Sequence, residues 1–485
     1  MKQVETNIPT ELGTAPVGRL LKQYAFPAII AQTAASLYNM VDAIFIGQGV
    51  GALAISGLAI TFPFMNMATA FGTLVGVGGS TICSMLLGQK DYVMARRTLG
   101  NVVILNAIIG LLFSAVSLIF MNPILRFFGA SDATIPYARE YMEIILAANV
   151  ITHIYFGLCA VLRSSGHPKE AMLSTIFTVM INAILDPIFI FWMHLGIRGA
   201  AIATVLSQTL SLLWVVYLLS RKSEAVHFEK KVFKLHRKLV KDSFSIGMAP
   251  FLMNFTACFV TILVNNTLGK YGGDLSIGAF GVANRIFFIF VMICLGLTQG
   301  MQPIVGYNFG ARQMDRTFEA MRKTMKWSLL VMSLGCLAGW TVPGLLCRMF
   351  TSDAELLDKS KDALRIIMSL YPTVAVGIVI GNFFQSMGKA GVATLLSLSR
   401  QILFLIPVML LLSPYLGVTG VWLSFPISDL ISAIMALIFL KRLLVSYRNA
   451  PESIYNSNQD FVKRYLERAS RIYRRLAFFK KGRRN

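Results

Sequence analysis

A chain of 485 residues that is 55% hydrophobic and only 14% charged, with a mean hydropathy of +0.65, is not a soluble globular domain; it has the composition of a polytopic membrane protein. The formal net charge of +22 does not point to nucleic acid, because the basic residues cluster in short connections between apolar runs and in the C-terminal tail. Six scattered cysteines without a CxxC pair argue against a zinc or disulfide framework.

In chain order, twelve apolar helices are expected, at 19–46, 53–87, 92–121, 135–163, 169–194, 197–220, 241–270, 276–309, 315–347, 357–387, 390–413 and 418–445. Each is long enough to cross a bilayer, which takes about 20 residues. The first eighteen residues hold no apolar signal-peptide core, so the first span is expected to direct insertion. Of the 45 Lys and Arg residues, 35 lie in the N-terminus, in the connections after even-numbered helices and from Lys441 onwards, against eight on the opposite side. That imbalance predicts that both termini are cytoplasmic.

The chain repeats itself. Leu162-Arg-Ser-Ser-Gly166 matches Phe384-Gln-Ser-Met-Gly388, Leu195-Gly-Ile-Arg-Gly199 matches Leu416-Gly-Val-Thr-Gly420, and Gly88-Gln-Lys matches Gly310-Ala-Arg, at offsets of 222, 221 and 222 residues. Six helices per copy make the copies parallel repeats. The expected fold class is an all-α polytopic membrane protein, with twelve transmembrane helices in two six-helix lobes around a central cavity. The expected parts are a cytoplasmic N-terminus (1–18), an N-lobe (19–220), a basic cytoplasmic linker (221–240), a C-lobe (241–445) and a basic amphipathic tail (446–485).

Three acids lie well inside predicted spans: Asp42, Asp186 and Asp429. A carboxylate at that depth costs at least ~2.5–3.5 kcal/mol and is expected to face a protein interior. Asn182 precedes Asp186 by one helical turn, and Pro187 leaves the Ala183 carbonyl without its usual partner. Counting along helices 1, 5 and 6 brings Asp42, Asn182, Asp186 and Thr204 to similar depth, with Tyr38 one turn from Asp42. Such a pocket suits a proton or a small hard cation. Aligning the copies puts Val264 opposite Asp42 and Ile406 opposite Asp186, so the acids belong to the first copy alone.

Several features together resemble the multidrug and toxic-compound extrusion (MATE) transporters over nearly all of residues 15–445. They are Pro27, the run Tyr38-Asn-Met-Val-Asp42, the Asn182/Asp186 pair, Gly199-Ala-Ala-Ile-Ala-Thr204 and the paired Gly88 and Gly310 loops. With Asn265 and Asn266 in helix 7 and no mid-span acid in helix 10, the chain looks more like the DinF/MepA-like branch. The resemblance implies a first-lobe site for H⁺ or Na⁺ at Asp42, Asn182, Asp186 and Thr204, beside Tyr38, with Pro27 as the hinge of helix 1. It implies a secondary antiporter, not an enzyme, that exports amphipathic, cationic organic compounds by rocking of two lobes. It further implies no cofactor beyond the coupling ion, a monomer, and a multi-pass place in a bacterial inner membrane.

Candidate substrate-cavity residues are Asn39, Phe62, Met65, His153 and Arg285. Asp429 is expected to pair with Arg400 as structure. The tail from Phe461 alternates basic and apolar residues, as an amphipathic helix on anionic lipid does; nucleic acid is not the expected partner. A flippase for a lipid-linked precursor is the alternative, although it would call for several cations in its cavity. An intramembrane aspartyl protease is disfavoured, since its glycine-aspartate motif is absent around Asp42 and Asp186. No GxxxxGK[ST] loop is present to bind ATP.

Overall fold

The computed structural model describes residues 9–448 except Ser352, with the side chains of residues 37–40, 43, 52, 55, 230 and 448 outside the description. Among the described residues, those up to Ala436 form one compact unit and those from Leu437 onwards a second. The fold is all-α. Its long helices are α1 (Val17–Gly49), α2 (Ala52–Gly88), α3 (Tyr92–Ile119), α4 (Ile135–Ala147 with Asn149–Ser164), α5 (Pro168–Pro187, prolonged by a π-helical turn at Ile188–Trp192) and α6 (Gly196–Leu219). In the second half a continuous run, Arg237–Gly310, breaks at Gly273 into α7 and α8. It is followed by α9 (Met314–Thr341), α10 (Ala354–Ile367 with Tyr371–Ser386) and α11 (Ala390–Leu398, then a π-helical Ser399–Leu405, then 406–416). Beyond the break at Gly417 comes α12 (418–448). The proposed amphipathic tail lies outside the described residues.

The sequence matches that reveal the duplication are turns whose backbone geometry restricts the residue. Gly166 and Gly388 both take positive φ (108° and 69°), as do Gly196 and Gly417 (57° each), a region where a Cβ is penalised. Lys90 and Arg312, the third members of the paired Gly88 and Gly310 loops, share it too, at 63° and 62°. The predicted helix boundaries hold to a few residues, and two of the spans are sharply bent. α4 breaks at Ala148 by 56°, and α10 breaks between Ile367 and Tyr371 by 53°. The bends occupy equivalent places in the two copies.

The connection 221–236 is docked on the first half. His167 pairs with Glu224 at 2.8 Å, Arg96 with Glu229, and the His236 N–H donates to Asn101 at 3.0 Å. The Glu170 carboxylate, which accepts from the imidazole, and Glu224 alongside hold His167 above its ordinary pKa. The N-terminal turn Glu11–Thr14 docks on the second half, where Asn308 and Arg316 donate to the Leu12 carbonyl at 2.9 and 3.1 Å.

The halves meet closely at the end of the bundle that carries this connection. A Cβ on Gly88 would overlap the Tyr307 carbonyl oxygen, and one on Gly310 would overlap that of Met85, a reciprocal contact across the pseudo-twofold relation. Gly296 and Gly300 of α8 sit equally tightly against Ile29 and Ala25 of α1. Arg163 donates to Gln299 at 2.8 Å and Gln302 to Thr81 at 2.7 Å beside this seam. Small residues are how helices approach closely in lipid, where no hydrophobic force drives them together. Gly310→Ala is therefore expected to destabilise by about 1–3 kcal/mol through overpacking. Gly281→Ala, with no atom within 4 Å of the added carbon, should be neutral or stabilising. Thermal unfolding of the two variants in detergent checks this.

Candidate functional site

Three helices of the first half build the site. α1 packs on α5, α5 on α6, and α1 on α6. Pro187 has no N–H to continue the α-helical ladder, and the chain after it widens into the π-helical turn Ile188–Trp192. The turn fits because α1 and α6 offer glycines to it. A side chain on Gly49 would overlap Ile190, and one on Gly199 would stand 2.9 Å from the Phe189 carbonyl. Asp186, immediately before this irregularity, is thereby fixed opposite α1.

The structure brings together four of the residues singled out in the sequence. Asp42, Asn182, Asp186 and Thr204 are all buried, at 4%, 0%, 0% and 2% exposure. The Asn182 amide donates to Asp186 Oδ1 at 3.2 Å and lies 3.5 Å from Thr204 Oγ1. Asp42 and Asp186 stand on packed neighbouring helices, so their buried carboxyl groups belong to one site. Three buried oxygens (Asp42 Oδ1, Asn182 Oδ1 and Asp186 Oδ2) have no hydrogen-bond partner among the described residues. Unsatisfied acceptors in a water-poor interior are costly. A set made only of oxygens, two of them on acids, fits a proton or a small hard cation. Tyr38 and Asn39 lie on α1 beside Asp42, but their side chains are outside the described residues.

A polar column that was not expected from the sequence extends from the site. Ser174, Thr178, Asn182 and Asp186 follow one another every fourth residue along α5. Thr178 bonds Ser211 of α6 at 2.6 Å and Tyr155 of α4 at 3.0 Å. The four-residue spacing was the available signal. Ser and Thr, however, readily bond their own helix, as Thr178 does to the Ser174 carbonyl at 2.9 Å.

The other candidates are dispersed. Phe62 and Arg285 are exposed and Met65 is half-buried. His153 is fully enclosed within the first half, against Gly72 and Gly110, with its Nε2 3.0 Å from the Ala68 carbonyl. It therefore faces the helix bundle and not an open cavity. Pro27 stands inside an unbroken α1. In the second half Val264 is fully buried and Ile406 half-buried. The acid of that half is compensated: Arg400 Nε donates to Asp429 at 2.6 Å, and the guanidinium lies 5.7 Å from the centre of the Phe287 ring.

Comparison with known proteins gives a consistent result. The MatE family model matches residues 27–188 and 250–411, once in each half. The multidrug export protein MepA of Staphylococcus haemolyticus (strain JCSC1435) is 28% identical over 429 residues, 88% of this chain and 93% of its own length. MepA of Staphylococcus aureus (strain MSSA476) is 26% identical over 427 residues, 88% and 94%. Among solved structures, the MATE multidrug transporter DinF-BH, solved as a complex with a ligand, superimposes with a TM-score of 0.81 at 32% identity, over 91% of this chain and 98% of that one. A MATE protein in a bent conformation shares the fold at a TM-score of 0.87 and 22% identity, over 93% and 100%.

The two acidic environments respond differently to losing a partner. Arg400→Met strands a buried carboxylate, which is expected to cost about 3–5 kcal/mol, whereas Arg400→Met with Asp429→Leu should recover most of that. Unfolding midpoints of the single and double variants decide it.

Proposed function

Because the chain belongs to the MATE family of multidrug efflux transporters, and is thus a multi-pass membrane transporter and not an enzyme, we propose that it is a secondary antiporter that exchanges amphipathic, cationic organic compounds for H⁺ or Na⁺. The coupling ion binds among Asp42, Asn182, Asp186 and Thr204, with Tyr38 alongside. The observation that carries this reading is the set of three buried, unpartnered oxygens in the first half, against an acid of the second half already neutralised by Arg400. One elementary charge falling through 100 mV supplies about 2.3 kcal/mol, enough for a substantial substrate gradient.

The substrate class rests on the relatives: proteins named for multidrug export and a 32%-identical multidrug transporter solved as a ligand complex. The lobes are 19–220 and 241–445, and Asn39, Phe62, Met65 and Arg285 are the cavity candidates that remain. Pro27 is the hinge through which α1 reports ion occupancy. The protein works as a monomer in a bacterial inner membrane, with both termini cytoplasmic.

Transport into inverted vesicles, with ΔpH and ΔNa⁺ imposed separately, tests the coupling. Asp42→Asn and Asp186→Asn should each lower gradient-driven uptake by about tenfold or more, since an ion with no preference between conformations shifts nothing. Val264→Ile and Ile406→Val should transport normally. Pro27→Ala should retain ion binding while substrate affinity loses its response to the ion. Normal coupled transport by both Asp variants would overturn the first-lobe site. Orientation is checked with single cysteines placed in 221–236 of a cysteine-free background. An impermeant thiol reagent added to intact cells should leave them unlabelled.

A further inference from the structure

A second binding site lies away from the coupling residues, where α1 enters the bundle beside α9. A cleft of about 870 Å³ opens between the two helices. Arg19 and Lys22 line it from α1, and Lys323, Lys326, Trp327 and Leu330 from α9. On each helix these residues recur at intervals of three or four, so each set occupies one face. The approach is close at Gly18, where an added Cβ would stand 3.1 Å from Lys323 Nζ. Glu319 pairs with Lys323 at 2.7 Å, which leaves Arg19, Lys22 and Lys326 as the cations of the cleft with no acid paired to them among the described residues.

The order of residues along the two helices is what distinguishes this cleft from an ordinary basic surface. The cations stand nearest the end of the bundle where the halves are in close contact. Trp327 comes next and is 46% exposed. One to three turns deeper, α9 exposes Leu330, Leu334 and Leu337, and Phe26 is exposed one turn beyond Lys22 on α1. Cation, then interfacial tryptophan, then apolar surface is the sequence of environments met by a phospholipid from phosphate to acyl chain. A free phosphate would make use of the cations alone and leave the apolar wall bare.

We propose that this cleft holds the phosphate-bearing headgroup of an anionic phospholipid, with its acyl chains along the exposed leucines of α9. The bound lipid bridges the first helix of one half and the third helix of the other. The site is independent of the coupling reading and needs only the membrane fold.

The test is lipid retention by the full-length protein in detergent, read by native mass spectrometry during titration with phosphatidylglycerol or phosphatidylcholine. The cleft variant is Arg19→Gln with Lys22→Gln and Lys326→Gln. The control is Lys234→Gln with Arg237→Gln and Lys238→Gln, which removes the same charge at the same end of the bundle. Wild type and control should bind one phosphatidylglycerol about tenfold more tightly than the cleft variant, should prefer it to phosphatidylcholine, and should not lose it to millimolar inorganic phosphate. Equal weakening in both variants would reduce the effect to general charge attraction. Retention of phosphatidylcholine to the same degree, or displacement by inorganic phosphate, would equally overturn the proposal. Should the triple variant fold poorly, Lys326→Gln and Trp327→Leu are tested singly. Each should lose the rise in melting temperature that phosphatidylglycerol gives the wild type, and an undiminished rise in both would refute the site.

Discussion

The rest of this structure depends on one electrostatic imbalance: two carboxyl groups buried in one site of a helix bundle, with no Lys or Arg paired to either among the described residues. Taking even one charge out of water is expensive, and a second like charge at close range compounds the cost. The first half does not offset it with a permanent partner. It supplies an amide, a hydroxyl and unfilled acceptor positions around Asp42 and Asp186. The second half faces the same problem with Asp429 and meets it with Arg400 at 2.6 Å. A compensated pair resists a change of charge state, because removing either member strands the other. An uncompensated pair favours the entry of a mobile positive charge. The duplication thus holds one acid paired to a fixed cation and one acidic pair that, on the proposed reading, is left for a mobile one.

α1 connects that open site to the contact between the halves. Pro27 lies between Ala25 and Ile29, the two residues that press against Gly300 and Gly296 of α8. The proline removes a ladder hydrogen bond in the stretch where the helix is held most tightly by the other half. Asp42 is fifteen residues further along, about 22 Å at 1.5 Å per residue. One rigid element therefore carries the charge-sensitive group at one end and the interdigitated glycine contact at the other. On the coupling proposed above, a change in how Asp42 is satisfied would be felt at the seam through this one helix.

Much of this was legible in the sequence because the relevant residues are ones physics restricts. Acids are rare in apolar spans, so Asp42, Asp186 and Asp429 stood out, and the Asn182 spacing of one turn named its partner. Turns with positive φ tolerate few residues, so Gly166 with Gly388 and Gly196 with Gly417 kept the mark of duplication after most of the packing residues had diverged. What stayed hidden has equally physical reasons. The break at Ala148 follows from packing and has no proline or glycine at that position to announce it. The π-helical turn at Ile188–Trp192 depends on space left by Gly49 and Gly199 of neighbouring helices. Of 38 glycines in the chain, only coordinates show which ones meet a backbone from the other half. His153 read as a candidate because histidine is uncommon in spans, yet its ring is enclosed against Gly72 and Gly110.

The asymmetry between the halves also bears on why a duplicated scaffold is useful. Two similar halves that meet through reciprocal glycine contacts suit the proposed rocking, since packed interfaces favour discrete arrangements over continuous deformation. Had both halves kept open acidic sites, two ions would bias the contact from opposite sides of the pseudo-twofold relation. With Val264 and Ile406 in place of the acids, the proposed coupling would change the charge of the first half alone. The scaffold retains the symmetry that the contact requires, while the charge remains in one half.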